Sequence, residues 1–145
     1  MNKCAAGNKP ENSATFYSHE ITTGQSGFHK INMKSNDSIK LNKLKTQEGI
    51  NGLKDYGSLL NHERSIKVIR LDDYMTKSNI NKIDIVKIDT QGYEPEVLEG
   101  FGRRLSDIDL IITELMFYDY YERSLSFTDI EKYLIPAGFQ LYDIS

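Results

Sequence analysis

The chain has 145 residues, 39% of them hydrophobic, which is enough for one domain with a hydrophobic core. Its net charge of −3 gives no general attraction to nucleic acid or an anionic membrane surface, and one cysteine excludes an internal disulfide framework. No apolar run approaches the ~20 residues of a membrane span and the three histidines are scattered, so we expect a cytoplasmic domain without a metal site.

The first part of the chain, residues 1–64, is polar and has only short apolar pieces. "CAA" (4–6) predicts the end of a strand, and "ATFYS" (14–18) predicts a short strand after the turn-rich "GNKPEN". Residues 34–64 contain few large apolar side chains, which favours a long solvated surface loop over a binding surface. We interpret 1–64 and 65–145 as two parts of a single partial domain.

The second part carries four runs that predict strands: "SIKVIRL" (65–71), "IDIVKID" (83–89), "IDLIITEL" (108–115) and "FQLYDI" (139–144). Helical signals lie between these runs. A short helix is predicted over 72–79, with Asp72 as its N-cap, and another begins at Glu94 with Pro95 in its first turn. For the glutamates of this second helix, Glu94, Glu96 and Glu99, a solvated helix face is favoured over a ligand site, and Gly100 and Gly102 weaken the helix.

A third helix is predicted over "SFTDIEKYLI" (126–135), where Thr128 and Glu131 have capping-box spacing. Strands that alternate with helices are typical of successive right-handed βαβ crossovers. We therefore expect residues 83–144 to form a parallel α/β layer.

Charged side chains occur at the end of an otherwise apolar strand. Lys87 and Asp89 share one face of strand 83–89, and Glu114 has the equivalent position on the next strand. Open α/β sheets bind ligands in the crevice outside the carboxyl ends of their strands, so these residues and Gly92 predict a polar site. If Lys87 is buried, it needs a carboxylate partner, either Asp89 or Glu114. An ion pair that only closes the sheet edge is an equally favoured alternative to a ligand site.

An aromatic segment, "MFYDYYERS" (116–124), follows the third of these strands. Its rings do not follow one helical or strand face; they belong to Phe117, Tyr118, Tyr120 and Tyr121. The segment predicts either a lid over a ligand crevice or a hydrophobic plug that covers the sheet end, the latter slightly favoured.

These elements resemble the FkbM family of S-adenosylmethionine-dependent methyltransferases. The resemblance lies in the Leu-Asp-Asp element at 71–73, the Ile-Asp-x-x-Lys-Ile-Asp-x-Gln-Gly-x-Glu element at 83–94, and the strand that ends in Glu at 111–114. "AAGN" and "ATFYSH" resemble the preceding family segment more loosely. Gln91 stands where the family often has Glu.

The resemblance implies a partial Rossmann-like class I methyltransferase fold, with a mostly parallel sheet and flanking helices. It implies S-adenosyl-L-methionine as cofactor and a sugar or other small hydroxyl-bearing molecule as acceptor. Asp89, Gln91, Gly92 and Glu94 would bind the cofactor, Asp89 or Glu114 would act as the base, with Asp89 favoured, and the four aromatic residues would contact the acceptor.

The glycine-rich cofactor loop of class I methyltransferases has no counterpart after a buried strand in this sequence. We therefore expect a fragment that lacks the first strands of the fold. This absence favours an alternative from another class, a non-catalytic interaction module whose aromatic segment and exposed sheet edge bind a partner. Self-association through that edge is also expected. A phosphoacceptor domain with Asp89 at the strand end is a weaker alternative, because the acidic pair it needs is missing.

Overall fold

The structure, a computed structural model, describes residues 4–19, 23–47, 57–116 and 119–144. Five strands are present in these ranges: β1 (Ala5–Ala6), β2 (Glu11–Ser18), β3 (His62–Ile69), β4 (Ile83–Ile88) and β5 (Ile108–Thr113). Four α-helices accompany them: α1 (Asn36–Gln47), α2 (Leu71–Lys77), α3 (Glu94–Phe101) and α4 (Phe127–Leu134). The chain therefore has a mixed α/β architecture.

The strands form two small sheets. In the first sheet, β3 lies between β1, which is parallel to it, and β2, which is antiparallel. In the second sheet, β4 and β5 are parallel, and Ile85 pairs with Leu110 and Lys87 with Ile112. The predicted parallel β4–α3–β5 unit is thus confirmed, and it aligns the carboxyl ends of the two strands.

The main core lies on one face of the β4–β5 sheet, against α2, α3 and α4. Its buried members are apolar: Met75, Ile88, Val97, Leu98, Phe101, Leu105, Ile108 and Ile130. The apolar stripe of α3 faces this core, as its helical spacing predicts. Burying these side chains fixes the position of α3, and hence of the turn that joins it to β4.

The opposite face of the same sheet is bare within the described residues. Ile85 is 60% exposed, Leu110 44% and Ile112 51%, and Lys87 stands on the same face. Because side chains alternate along a strand, Val86 and Ile111 point to the core instead. We call this surface, made by Ile85, Leu110 and Ile112, the bare face.

The strand predicted over 139–144 is wrong, since none of these residues belongs to a strand. Leu141, Tyr142 and Ile144 are exposed. A strand is stabilised by hydrogen bonds to a neighbouring strand, and β5 is paired only with β4 among the described strands. An alternating pattern does not determine whether a neighbouring strand is present to pair with the segment.

The predicted surface loop over 34–64 is also wrong, because it contains α1 and the start of β3. The hydroxyl of Ser35 accepts a hydrogen bond from the backbone N–H of Ser38 at 3.1 Å, just before the helix, and Asp37 lies in the first turn. Leu41 packs against a small second core. Residues 48–56 of this segment lie outside the described residues.

Three local predictions are corrected at the level of caps and boundaries. Arg70, and not Asp72, is the N-cap of α2, and Asp72 instead binds the Arg70 guanidinium with both carboxylate oxygens. The capping box of α4 uses Ser126 and Asp129 and not Thr128 and Glu131, because the helix begins at Phe127, two residues earlier than an N-cap at Thr128 would require. The strand predicted to begin at Ala14 begins at Glu11.

Candidate functional site

Asp89 and Glu114 lie side by side at the carboxyl edge of the β4–β5 sheet. Ile88 and Thr113 are paired in register, and the N–H of Glu114 donates to the carbonyl of Ile88 at 3.1 Å. The residues that follow this pair therefore project from neighbouring strands. The sequence predicted this proximity from strand ends alone.

Of the two carboxylates that the sequence offers to Lys87, Asp89 is the partner, with Lys87 Nζ donating to Asp89 Oδ2 at 2.8 Å. The expectation that Lys87 is buried is wrong, because its side chain is 67% exposed. It stands on the bare face, where no described element covers it. An exposed pair of this kind contributes little stability, so its main effect is on the charge and orientation of Asp89.

Gln91 joins the two acids. Its Nε2 donates to Asp89 Oδ1 at 2.7 Å and to Glu114 Oε2 at 3.1 Å. Its Oε1 accepts from the Tyr121 hydroxyl at 2.7 Å. The side-chain amide therefore lies at the centre of a polar cluster, which we call the carboxyl cluster: Asp89, Gln91, Glu114 and Tyr121.

The turn between β4 and α3 has an unusual backbone. Gln91 has φ of 57° and Gly92 has φ of 93°, both in the left-handed region. Glycine suits position 92 because other L-residues are strained at this φ, whereas the space is adequate, since a Cβ there would lie 3.4 Å from the His29 ring. This conformation turns the chain sharply from the strand into the helix and directs the Gln91 side chain back towards the strand ends.

Glu94 stabilises this turn through hydrogen bonds to Thr90. It is 2% exposed, and its Oε1 accepts from the Thr90 backbone N–H at 2.8 Å and from the Thr90 hydroxyl at 3.1 Å. The sequence favoured a solvated position on the helix face for this residue. A buried carboxylate requires such donors, and here they come from the turn itself.

The environments of the two acids move their proton affinities in opposite directions. The hydrogen bond from Lys87 is the main cause that holds the pKa of Asp89 below its ordinary value. Burial, followed by the charge of Asp89, raises the pKa of Glu114. Asp89 is therefore the more readily ionised member of the pair, and Glu114 binds a proton more strongly.

The predicted aromatic residues fall into two groups. Phe117 and Tyr118 lie outside the described residues. Tyr120 and Tyr121 are buried with Ile31 and Met116 in the second core, and the two rings meet edge to face with centroids 5.1 Å apart. For Tyr120 and Tyr121 the plug interpretation fits better than a solvent-facing lid.

A clamp that the sequence did not reveal holds the aromatic segment beside the β4–α3 turn. Arg123 Nη1 donates to Glu96 Oε1 of α3 and lies 3.4 Å from His29 Nε2. Residues 30–32 run beside 120–122, with Ile31 paired to Tyr121. These residues are far apart in sequence, and no motif spacing indicates their contact.

Among the described residues, no group of three or more His, Cys, Asp or Glu side chains is arranged to hold a metal ion. None of the helices in the described part of the chain has the length and apolar character needed to cross a bilayer.

A comparison with known protein families gives a match that covers nearly the whole chain. The family described as Methyltransferase FkbM domain matches residues 1–141 of the chain. No curated protein and no solved structure shows significant similarity to it.

Proposed function

We propose a function from one established premise: the chain belongs to the FkbM methyltransferase domain family. The proposed function is S-adenosylmethionine-dependent methyl transfer to a hydroxyl of a sugar or another small acceptor. The observation that carries it is the carboxyl cluster at the joint end of β4 and β5. The parallel β4–α3–β5 unit supports assigning this region to a partial Rossmann-like class I methyltransferase fold.

The chemistry of the side chains fits one end of the cofactor. The methionine end of S-adenosylmethionine is positive overall, because it carries an ammonium and a sulfonium against one carboxylate. Asp89 and Glu114 offer carboxylates to the two positive groups. We assign Asp89, Gln91 and Gly92 to this end, with Glu94 holding the turn beneath them. When bound, the cofactor supplies the electrophilic methyl group.

The two acids are assigned different tasks. Asp89, held ionised by Lys87, faces the positive charge of the ligand. Glu114, whose pKa is raised by burial, is the better match for taking a proton from an acceptor hydroxyl near neutral pH. We therefore propose Glu114 as the general base, whereas the sequence favoured Asp89.

A binding experiment tests this function. Calorimetric titration with S-adenosylmethionine is expected to show saturable binding, weakened at least about tenfold in Asp89→Asn. Asp84→Asn is the matched control, since Asp84 is an exposed acid of the same strand outside the carboxyl cluster. Lack of binding by a folded chain, or equal losses in the two variants, would contradict the proposal.

A second candidate function is favoured by the bare face. Three large aliphatic side chains on one sheet surface are typical of a surface that another protein covers. We propose that, if the chain has no methyl-transfer activity, it acts as an interaction module whose partner is a second copy of itself. Among the described strands, β4 and β5 pair only with each other, and the two edges of their sheet lie beside this surface.

A further inference from the structure

We propose that Tyr121 is a positioning residue that acts through Gln91: its hydroxyl fixes the orientation of the Gln91 amide, which then stabilises the ionised form of Glu114. The inference deepens the proposed function, on which its chemical meaning rests. It assigns to Tyr121 a different role from acceptor contact, because its hydroxyl faces Gln91.

The contacts of the Gln91 amide define this role. Its nitrogen carries two protons, and each is donated in a hydrogen bond to one of the acids. The distance is 2.7 Å to Asp89 and 3.1 Å to Glu114. Its oxygen accepts from Tyr121 at 2.7 Å. Every polar atom of the amide is thus engaged in one orientation.

The reversed orientation of the amide is unfavourable while both acids are ionised. A rotation of 180° would place the amide oxygen against the two carboxylates and remove both of their donated hydrogen bonds. Tyr121 stabilises the orientation in which the amide nitrogen faces the acids, because its hydroxyl then donates a hydrogen bond to the amide oxygen of Gln91. The carbonyl of Gln25, 3.0 Å from the same hydroxyl, is the competing acceptor for the hydroxyl proton.

Tyr121 is itself held firmly. Its side chain is 1% exposed, its backbone pairs with Ile31, and its ring packs against Tyr120. Two residues further on, Arg123 binds Glu96 of α3. The hydroxyl is therefore fixed relative to the β4–α3 turn, which a solvent-exposed tyrosine would not achieve.

The charges around Glu114 determine what the loss of Tyr121 would do. Asp89 and Glu94 are negative and favour a protonated Glu114, whereas Lys87 is positive and is paired with Asp89. The Gln91 donor opposes the two negative charges. If Tyr121 no longer orients the amide, this opposition weakens and Glu114 keeps its proton to a higher pH.

Titration of carboxyl carbon signals by NMR tests the inference without any need for methyl transfer. In Tyr121→Phe, the midpoint of the Glu114 titration is expected to move to higher pH by about half a pH unit. Tyr120→Phe is the matched control, because its hydroxyl donates to the Gln25 side chain at 3.0 Å and lies in the same buried core. It should leave the Glu114 titration unchanged.

A double variant separates positioning from packing. Gln91→Met removes the amide, so it should raise the Glu114 midpoint by itself, and adding Tyr121→Phe should then have no further effect. An unchanged midpoint in Tyr121→Phe, an equal change in Tyr120→Phe, or additive changes in the double variant would overturn the inference. Because the carboxyl signal is read in the free protein, a failure to bind S-adenosylmethionine is a separate outcome.

Discussion

At the scale of single residues, the site depends on a few polar contacts inside one turn. Glu94 is the clearest case, since it is a buried carboxylate whose hydrogen-bond donors are the backbone and hydroxyl of Thr90. The contact spans four residues and closes the turn that carries Gln91 and Gly92. Removing the carboxylate leaves the Thr90 N–H without this acceptor in a partly buried position.

Glu94→Ala is expected to lower the free energy of unfolding by about 2 kcal/mol, because both donors of Thr90 lose their acceptor. Glu94→Gln keeps an oxygen in the same place and should lose clearly less. Denaturation in urea measures both. The exposed Glu122 supplies the control, and a Glu122→Ala variant as unstable as Glu94→Ala would contradict this role.

The protonation of His19 is expected to make the free energy of unfolding depend on pH. Burial is the first cause that lowers its pKa from 6.5, and its Nδ1 accepts from the Asn61 N–H at 3.1 Å. Well above pH 6.5 the His19 imidazole is neutral in both the folded and the unfolded state, so its titration does not reduce the free energy of unfolding. As the pH falls below that value, the unfolded state gains a proton first, and stability is lost until the folded state also titrates.

The stability of His19→Asn should therefore fall less between about pH 7.5 and about pH 5.5 than that of the wild type. Asparagine retains an oxygen acceptor for Asn61 and removes the titration. Thermal unfolding at several pH values is the measurement. Parallel losses in the two proteins would show that His19 does not contribute, and His29, whose pKa is also lowered by burial, would then be the next residue to replace.

Sequence reasoning identifies residue contacts when they are local. The spacing of Lys87 and Asp89 placed them on one strand face, which left Asp89 and Glu114 as possible partners of Lys87, and strand ends predicted the proximity of Glu114. The contact of Tyr121 with Gln91 was not predictable, because it depends on how residues 30–32 and 120–122 pair. No local pattern encodes that pairing.

At the scale of elements, the β4–α3–β5 unit shows how close packing fixes helix position. Gly100 lowers helix propensity, and the sequence treated it as a weakness of α3. The structure gives its reason: a Cβ at Gly100 would overlap the Gly7 carbonyl oxygen, where the segment after β1 crosses the helix. The absence of a side chain lets α3 approach the first sheet.

Gly100→Ala is accordingly expected to destabilise the protein by about 1–3 kcal/mol, although alanine ordinarily favours a helix over glycine by about 1 kcal/mol. Gly24→Ala is the control, because a Cβ there meets no atom of the described residues within 4 Å. Chemical denaturation of both variants measures the change in the free energy of unfolding. A Gly100→Ala protein that is as stable as the wild type would show that α3 and Gly7 do not pack closely.

Periodicity predicted most elements but failed where a partner decides the outcome. Strands β4 and β5 and helices α3 and α4 lie where their apolar patterns placed them, within one or two residues. The segment 139–144 has an equally regular pattern, yet it is not a strand because no described strand pairs with it. The polar composition of 34–64 predicted a loop, but the Ser35 cap and the packing of Leu41 stabilise helix α1 there.

At the scale of the whole molecule, the bare face is the most unusual surface. Its aliphatic side chains lie on the same sheet face as Lys87 and end at the acids of the carboxyl cluster. If a second copy covers this surface, sedimentation velocity should show a mass that rises with protein concentration. Ile85→Lys should weaken that association strongly, because it places a charge in the contact.

Ile135→Lys is the control for this prediction, since Ile135 has similar exposure at 55% and lies outside the bare face. Equal effects of the two substitutions would indicate non-specific apolar contact. A wild-type protein that stays monomeric from micromolar to near-millimolar concentration would contradict self-association and leave methyl transfer as the single proposed function.

The central claim is that the cofactor binds at the joint end of β4 and β5, and NMR titration of backbone amides with S-adenosylmethionine tests it most directly. The predicted result is a saturable set of shifts concentrated at residues 89–94 and at Glu114, and lost in Asp89→Asn. A groove of about 520 Å³ between α3 and α4, lined by Arg103, Lys132 and Tyr133, is the competing location. Shifts confined to that groove, or no shifts in a folded protein, would contradict the claim.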